Sequence, residues 1–540
     1  MAKASALEWE DLEPGKLDAL LERIEPLIQP EDFRLLQRVI ATLHLLLDLI
    51  QRARLSLRRL RQMIFGPKTE KSRQVLAKAK AKDQASSQTG QPASDAPKGK
   101  RKGHGRNGVD DYPGAQRVAV PHSNLQPGCP CPLCQKGRLY DLNKPAPVIR
   151  IVAQPIFPAT IYELMQLRCS RCLAVFTAPL PAEAGTSKYS EAVPAMLAVL
   201  CYGSGMPLYR IEKLQQGFGV PLPAATQWEQ LRDAAQEIMP LWDCLIQMAA
   251  QAWLFHHDDT HMKVLSLLAE NATQTTDDHH AKERTGIFTT GILAQVGEHR
   301  IALFFTGRQH AGENLEKVLE QRPEGLPTPI QMSDGLPANR LKSVHTHEAN
   351  CNAHSRRRYT EVVDAFPQEC RFVLETLKEV YRHDAQAKAL GLTAQERLQF
   401  HQTHSQKPME QLERWAREQF DHKKVEPNST LGQAISYMLK RWEKLTLFLR
   451  IPGVPLDNNA VEQILKRGIL HRKNSMFYRT ERGAQVGDLY MSLIETCRLC
   501  GANPVEYLTA LQQHARLVTK NPEQWLPWNY GTALAALDTS

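Results

Sequence analysis

The chain lacks the features that would send it into or across a membrane. Its most apolar stretches, residues 43–50 and 192–201, fall well short of the roughly 20 residues a spanning helix needs. No secretory leader is expected, because the first 31 residues are acidic and hold no uninterrupted apolar core. Eleven cysteines in such a chain do not make a disulfide framework and are expected as reduced thiols or metal ligands. A cytoplasmic protein with no membrane partner is therefore expected. Strong net charge is also missing, since +9 over 540 residues is modest, so the distribution of charge carries more information than its sum. From Arg52 to Arg106 basic residues dominate, with Glu70, Asp83 and Asp95 as the only acids. Such a concentration favours a polyanionic partner.

The length predicts several domains. In residues 1–71, Leu36, Leu43, Ile50, Leu57 and Ile64 recur every seven residues, and Val39, Leu46, Ala53 and Leu60 follow the first four by three positions. That a/d seam predicts a coiled coil and a homo-oligomer. The alternative is an amphipathic helix packed on its own chain, favoured by the extra apolar residues Ile40 and Leu47. Residues 72–115 read as a flexible basic linker. Its Lys98, Lys100, Arg101, Lys102 and Arg106 suit a DNA-contacting arm, since phosphate contacts need charge and reach more than fixed structure; a merely solvated linker is the alternative.

Residues 116–182 contain two C-x-x-C knuckles, Cys131 with Cys134 and Cys169 with Cys172, separated by strand-like runs at 148–152 and 160–167. Four thiolates can close a tetrahedral structural Zn²⁺ site that staples hairpins too small to fold alone, giving a zinc-ribbon-like β module. Cys129 is a competing ligand, and a redox motif would need only one pair and a following helix. Residues 183–250 read as helices broken around Gly203, Gly205, Gly219 and Pro221. They resemble a helix-turn-helix that would seat Gln227 and Arg232 in a DNA groove, or else plain bundle architecture.

From Trp253 the pattern changes to strands at 253–257, 287–296, 300–305 and 330–333, with a helix at 312–319 before the last. This is the order of a ribonuclease-H-like α/β domain, placed at 251–480 with a helical insertion at about 356–450, and followed by a helical tail at 481–540. The expected fold class is thus multidomain and mainly α, around an α/β ribonuclease-H-like catalytic core.

Three acids mark that core: Asp258 in AWLFHHDDTHMKVL, Asp334 in PIQMSDG and Glu462 in PLDNNAVEQILKRGILHRKN. The first two follow apolar runs that read as buried strands, and the third opens a segment with helical spacing at Val461, Leu465 and Ile469. Carboxylates so arranged suit a pair of Mg²⁺ (or Mn²⁺) ions, hard cations that take oxygen ligands and serve phosphoryl transfer. Each acid also has an ordinary reading, as a turn aspartate or, for Asn459 with Glu462, as a capping box. The basic run Lys466, Arg467, His471, Arg472 and Lys473 adds weight to the metal reading, because a phosphate backbone would need that charge. A transition-metal cluster of His256, His257, Asp258, Asp259 and His261 is the competing reading. Alternate residues of a strand face opposite sides, which would turn His257 and Asp259 away from Asp258. Cys497 and Cys500 sit in an apolar helix and read as core.

The chain resembles the bacterial insertion-sequence transposases of the IS66 family, specifically their large DDE-type subunit. The resemblance rests on LRQMIFGPKTEKS, GKRKGHGR, the two knuckles, PLYR, the D-D-T of Asp258 to Thr260, the C-N-A-H-S-R-R run from Cys351 through His354 to Arg357, DNNAVE, HRKNSMF, SLIETCRLCGANPVEYL and LPWNY. It departs from the family at Asp259, Leu336 and Gln463, none of which removes a carboxylate of the three. The resemblance implies that Asp258, Asp334 and Glu462 are catalytic, and that Cys351 and His354 form a supporting C-x-x-H feature. Those two residues alone could be half a zinc site or a packing pair at a helix start. It further implies a nucleoid-associated bacterial enzyme that binds the ends of a mobile element, cleaves them and joins the 3′-hydroxyl to target DNA, helped by small accessory proteins of the same element. The competing expectations are a zinc-containing DNA-binding regulator or inactive copy, and a metal-dependent nuclease without strand transfer.

Overall fold

Apolar runs between residues 254 and 350 assemble into a five-stranded mixed sheet that organises the rest of the chain. The structure, a computed structural model, describes residues 23–27, 29–42, 119, 126–140, 156–168, 175–185, 187–273 and 285–538. A small antiparallel pair, β1 (Gln166–Arg168) and β2 (Val175–Thr177), precedes three helices, α1 (Ala192–Ala198), α2 (Leu208–Gly217) and α3 (Ala224–Ala250). Then come β3 (Leu254–His261), α4 (Leu265–Thr273), β4 (Phe288–Val296), β5 (His299–Gly307), α5 (Ala311–Leu319), β6 (Ile330–Ser333) and β7 (His347–Asn350). The sheet order is β5-β4-β3-β6-β7, with β4 antiparallel to both β3 and β5, and β6 and β7 parallel to β3.

Six helices follow β7: α6 (Asn352–Val362), α7 (Pro367–Ala389), α8 (Ala394–His404), α9 (Gln406–Asp421), α10 (Thr430–Leu439) and the short α11 (Trp442–Leu445). They build a second core, with Tyr359, Leu374, Leu412 and Ile435 buried, that joins the sheet through Met332 and Ala349. These helices, over the stretch expected as a helical insertion, share their core with the β6–β7 side of the sheet.

The chain returns to the sheet with α12 (Asn459–Ser475), which packs across β3 and β4, and α13 (Glu481–Leu499), which runs along β5. An edge strand leaves a row of N–H groups unpaired, and α13 fills that row. Asp488 accepts from Thr306 N at 2.6 Å, Ser492 from Phe304 N at 3.0 Å and Thr496 from Ala302 N at 3.1 Å. Their four-residue spacing places all three on one face of the helix. The expected C-terminal tail is thus partly core; α14 (Pro504–Gln513), α15 (Ala515–Lys520) and α16 (Tyr530–Asp538) complete it.

The helix breaks around Gly203, Gly205, Gly219 and Pro221 are where the sequence places them. Gln227, however, is fully buried, and its side chain donates to Leu222 O at 2.8 Å. It fastens the turn ahead of α3 and presents nothing to a DNA groove. Arg232 is exposed beside Asp233. Of the heptad segment only residues 30–42 are described; they are helical, with Ile40 buried and Val39 59% exposed. The later heptads and the basic arm, Lys98 to Arg106, lie outside the described residues. Around Cys131 and Cys134, Gln135 N donates to Cys131 O and Leu139 N to Cys129 O, both at 2.8 Å. Backbone N–H groups of Gly137 and Lys136 lower the Cys134 thiol below its usual range. Cys169 and Cys172 fall outside the described residues, between β1 and β2. Of the strand expected at 160–167 only the end pairs, because the described ladder starts at Gln166. Among the described residues no helix is long and apolar enough to cross a membrane.

Candidate metal centre

Asp258 lies on the central strand β3, and Asp334 is the residue that follows β6. In the parallel β3–β6 pair Leu254 faces Ile330 and His256 faces Met332. The same register carried two residues further sets Asp334 beside Asp258, on strands about 4.8 Å apart. Glu462 stands in the first turn of α12, the helix that lies across β3 and β4. Gly291 on β4 pairs with Asp258 and lets this helix come close, since a Cβ there would meet Leu465 at 2.9 Å.

Asn458, which precedes α12, fixes where the helix starts. It is fully buried; its Oδ1 is 3.0 Å from His256 Nδ1, and its Nδ2 donates to His257 O at 3.0 Å. Asn459 instead closes a turn by donating its N–H to Asp457 Oδ1 at 3.1 Å, and the residue at the cap position makes no side-chain cap bond. The capping-box reading of Asn459 and Glu462 is thus corrected. The Glu462 Oε1 atom is buried without a hydrogen-bond partner, so it is not spent on the helix.

The alternation expected of β3 is observed. Asp259 turns to the far face, where its Oδ2 receives the His310 ring nitrogen at 2.9 Å and Ala311 N at 3.3 Å at the start of α5. His257 meets Gln331, and His256 meets Asn458. Burial pushes the His256 imidazole down to about 4 and that of His257 to about 3. Their bonded nitrogens face Asn458 and Gln331, and among the described residues neither ring gathers with Asp258 and a further ligand into a metal-binding group.

Electrostatics separates the three acids from ordinary turn carboxylates. Burial, then the charge of Asp334, and further the charges of Asp259 and Glu462 push the Asp258 carboxyl up to about 7, against one stabilising N–H from Asp259. Asp334 Oδ1 accepts from Leu336 N at 2.9 Å and from Asn339 Nδ2 at 2.7 Å. Among the described residues no lysine or arginine forms an ion pair with any of the three. Neighbouring carboxylates that are not ion-paired repel one another, and an all-oxygen donor set of this kind fits Mg²⁺ or Mn²⁺.

The helical insertion forms one wall of the centre. Tyr437 on α10 donates to Asp334 O at 2.9 Å, with the guanidinium groups of Arg358 and Arg441 over its ring at 3.9 and 4.0 Å. Arg441 also donates to Gly335 O at 3.1 Å. A cleft of about 250 Å³ opens here, lined by Asp334, His354, Arg357, Arg358 and Tyr437. Nothing in the local sequence links Tyr437 or Arg441 to Asp334. The only sequence signal for Asn458 is its place in DNNAVE.

The basic run after Glu462 divides in two. Lys466 and Lys473 are exposed. Arg467 is bound to Glu495 at 3.1 Å and to Gly203 O at 2.8 Å. Arg472 is tied to Thr260 Oγ1 at 3.1 Å and to His261 O. His471 is buried, stacked on Tyr202 and Tyr478, and pushed down to about 4 by burial. It is therefore neutral and offers no charge to phosphate. Cys351 is buried at the cap of α6, and burial pushes its thiol up to about 12. Cys497 is core, as its helix pattern predicts.

A family model described as "Transposase IS66 family" matches residues 186–486. Three relatives come from Sinorhizobium fredii (strain NBRC 101917 / NGR234). "Uncharacterized protein y4hP" is 26% identical over 439 residues, covering 76% of this chain and 75% of that relative. "Uncharacterized protein y4jD" is 27% identical over 384 residues, covering 67% and 70%. "Uncharacterized protein y4qI" is 24% identical over 349 residues, covering 63% and 62%.

Proposed function

The chain belongs to the IS66 transposase family, and from that premise we propose that it is a DDE-type transposase with a ribonuclease-H-like catalytic core. It binds the ends of its mobile element, hydrolyses a strand at each end and directs the freed 3′-hydroxyl at target DNA. The observation that supports this reading is that Asp258 on β3, Asp334 just after β6 and Glu462 on α12 come near enough for the charges of the other two to raise the Asp258 carboxyl.

Asp258, Asp334 and Glu462 would hold Mg²⁺ or Mn²⁺. When bound, such ions lower the pKa of an attacking water or hydroxyl and stabilise a departing oxygen. The protein's own part is positional. Asp258 gives up its proton when the site loads, Asn339 and Tyr437 hold Asp334 in place, and Asn458 sets the approach of Glu462. Lys466 and Lys473, exposed on α12, suit phosphate contact. The arm of Lys98, Lys100, Arg101, Lys102 and Arg106 would grip end DNA. A structural Zn²⁺ on Cys131, Cys134, Cys169 and Cys172 would shape the module beside it, and the heptad segment would pair protomers so that two ends are processed together. Small accessory proteins of the same element complete the expected partners.

A strand-transfer assay with labelled element-end DNA, a plasmid target and Mg²⁺ tests this reading, comparing wild type with Asp258→Asn and Glu462→Gln and repeating with the accessory proteins. Joined product in wild type and a loss of at least a hundredfold in both variants is expected. Cleavage without joining would make the protein a nuclease. Tight end binding with no chemistry would make it a regulator.

A further inference from the structure

The C-x-x-H pair is completed by a third ligand type from a distant part of the chain. Cys351 caps α6, and His354 lies in its first turn. Glu462 reaches the same point from α12, so that sulfur, imidazole nitrogen and carboxylate oxygen lie within 4.8 Å of one another. The sulfur is fully buried, accepts Asn458 N–H at 3.2 Å, and is approached by the backbone N–H groups of His354 and Ala353. These N–H groups only partly offset burial, which keeps the thiol protonated while the site is empty. His354 Nδ1 and Glu462 Oε1 are both buried without a hydrogen-bond partner. They stand 3.8 Å apart, too far to satisfy each other. Buried polar atoms left unpaired in this way point to a missing occupant.

We propose that Cys351, His354 and Glu462 form a second cation site, for a divalent ion of the zinc class, which shares Glu462 with the carboxylate centre. The donor set separates the two sites. Thiolate and imidazole select Zn²⁺, while Mg²⁺ takes oxygen. Three protein ligands leave a tetrahedral ion one open position. Binding releases the Cys351 S–H proton to solvent. Glu462 on zinc is withdrawn from Asp258 and Asp334, so zinc at this site inhibits magnesium-dependent chemistry. That consequence, unlike the site itself, rests on the transposase reading.

The test is zinc content per chain after dialysis of the full-length protein against buffered Zn²⁺, for wild type, Cys351→Ser and His354→Gln, with cobalt(II) absorption spectra of each. The cysteine knuckles contribute equally in all three proteins, so differences isolate this site. Each variant is expected to hold one zinc fewer than wild type, and Cys351→Ser to lose part of the thiolate-to-cobalt absorption in the near ultraviolet. Should Cys351→Ser not fold, His354→Gln decides the matter, since it leaves the buried sulfur in place. Equal zinc content in wild type and His354→Gln overturns the proposal. Glu462→Gln separates the two readings. Loss of magnesium-dependent cleavage with unchanged zinc content leaves the transposase reading standing and removes this one; loss of one zinc with full cleavage does the reverse.

Discussion

Asn458 and His256, on α12's leading turn and on β3, share a buried hydrogen bond of 3.0 Å. The Asn458 oxygen can only accept, so His256 carries its proton on Nδ1. The same asparagine donates to the His257 carbonyl, which couples the strand bearing Asp258 to the helix bearing Glu462.

Asn458→Ala leaves a buried donor and a buried carbonyl unpaired, at about 1–3 kcal/mol each. Urea unfolding should show a loss of about 2–6 kcal/mol. Cleavage should fall further than the folded fraction does, because Glu462 loses its register with Asp258. Activity that simply tracks the folded fraction would deny Asn458 any positioning role.

Asp258 predicts a pH signature. Its carboxyl is raised to about 7 in the folded protein, so the native state holds that proton more tightly than the unfolded chain. Its contribution to stability is full below about pH 4 and is lost as pH rises to about 7, amounting to at most about 4 kcal/mol. Asp258→Asn should therefore unfold at a higher temperature than wild type at pH 8 without metal, and lose its advantage near pH 4. Mg²⁺ should raise the wild-type midpoint at pH 8 and leave the variant unmoved. Asp488, also raised to about 7 by burial, tilts both proteins alike, so the difference between them reports Asp258.

Gly291 predicts a packing effect on catalysis. A Cβ there meets Leu465 at 2.9 Å, in the helix turn that follows Glu462. Gly291→Val should cost about 1–3 kcal/mol by overpacking and reduce cleavage at least tenfold by moving α12. Calorimetry and the cleavage assay read these separately; wild-type cleavage in the variant would mean that the helix position is not limiting.

Asp384 predicts acid lability in the insertion. Burial alone would raise its carboxyl, but His401, Arg397 and Lys388 outweigh burial and hold it well below the usual range. Its contribution is therefore full above about pH 4 and is lost as pH falls. Asp384→Asn should cost about 3 kcal/mol at pH 7 by leaving Arg397 and His401 without their anion. The gap from wild type should narrow in melts taken toward pH 2. A gap independent of pH would assign the loss to packing.

Local pattern determined much of this protein. Apolar runs set β3 to β6, glycine and proline set the helix breaks around α2, and two-residue alternation turned Asp259 away from Asp258. Each follows from backbone geometry within a few residues, which any segment carries with it. The tertiary structure decided the rest. The run Lys466 to Lys473 reads as uniform positive charge, but the helical repeat buries His471 and spends Arg467 and Arg472 on the protein itself. Tyr437 meets Asp334, Asn458 meets His256 and Glu462 meets Cys351 only because strand order and helix docking bring distant segments together. Charge, burial and unpaired atoms are properties of that assembled neighbourhood, and no stretch of sequence holds them alone.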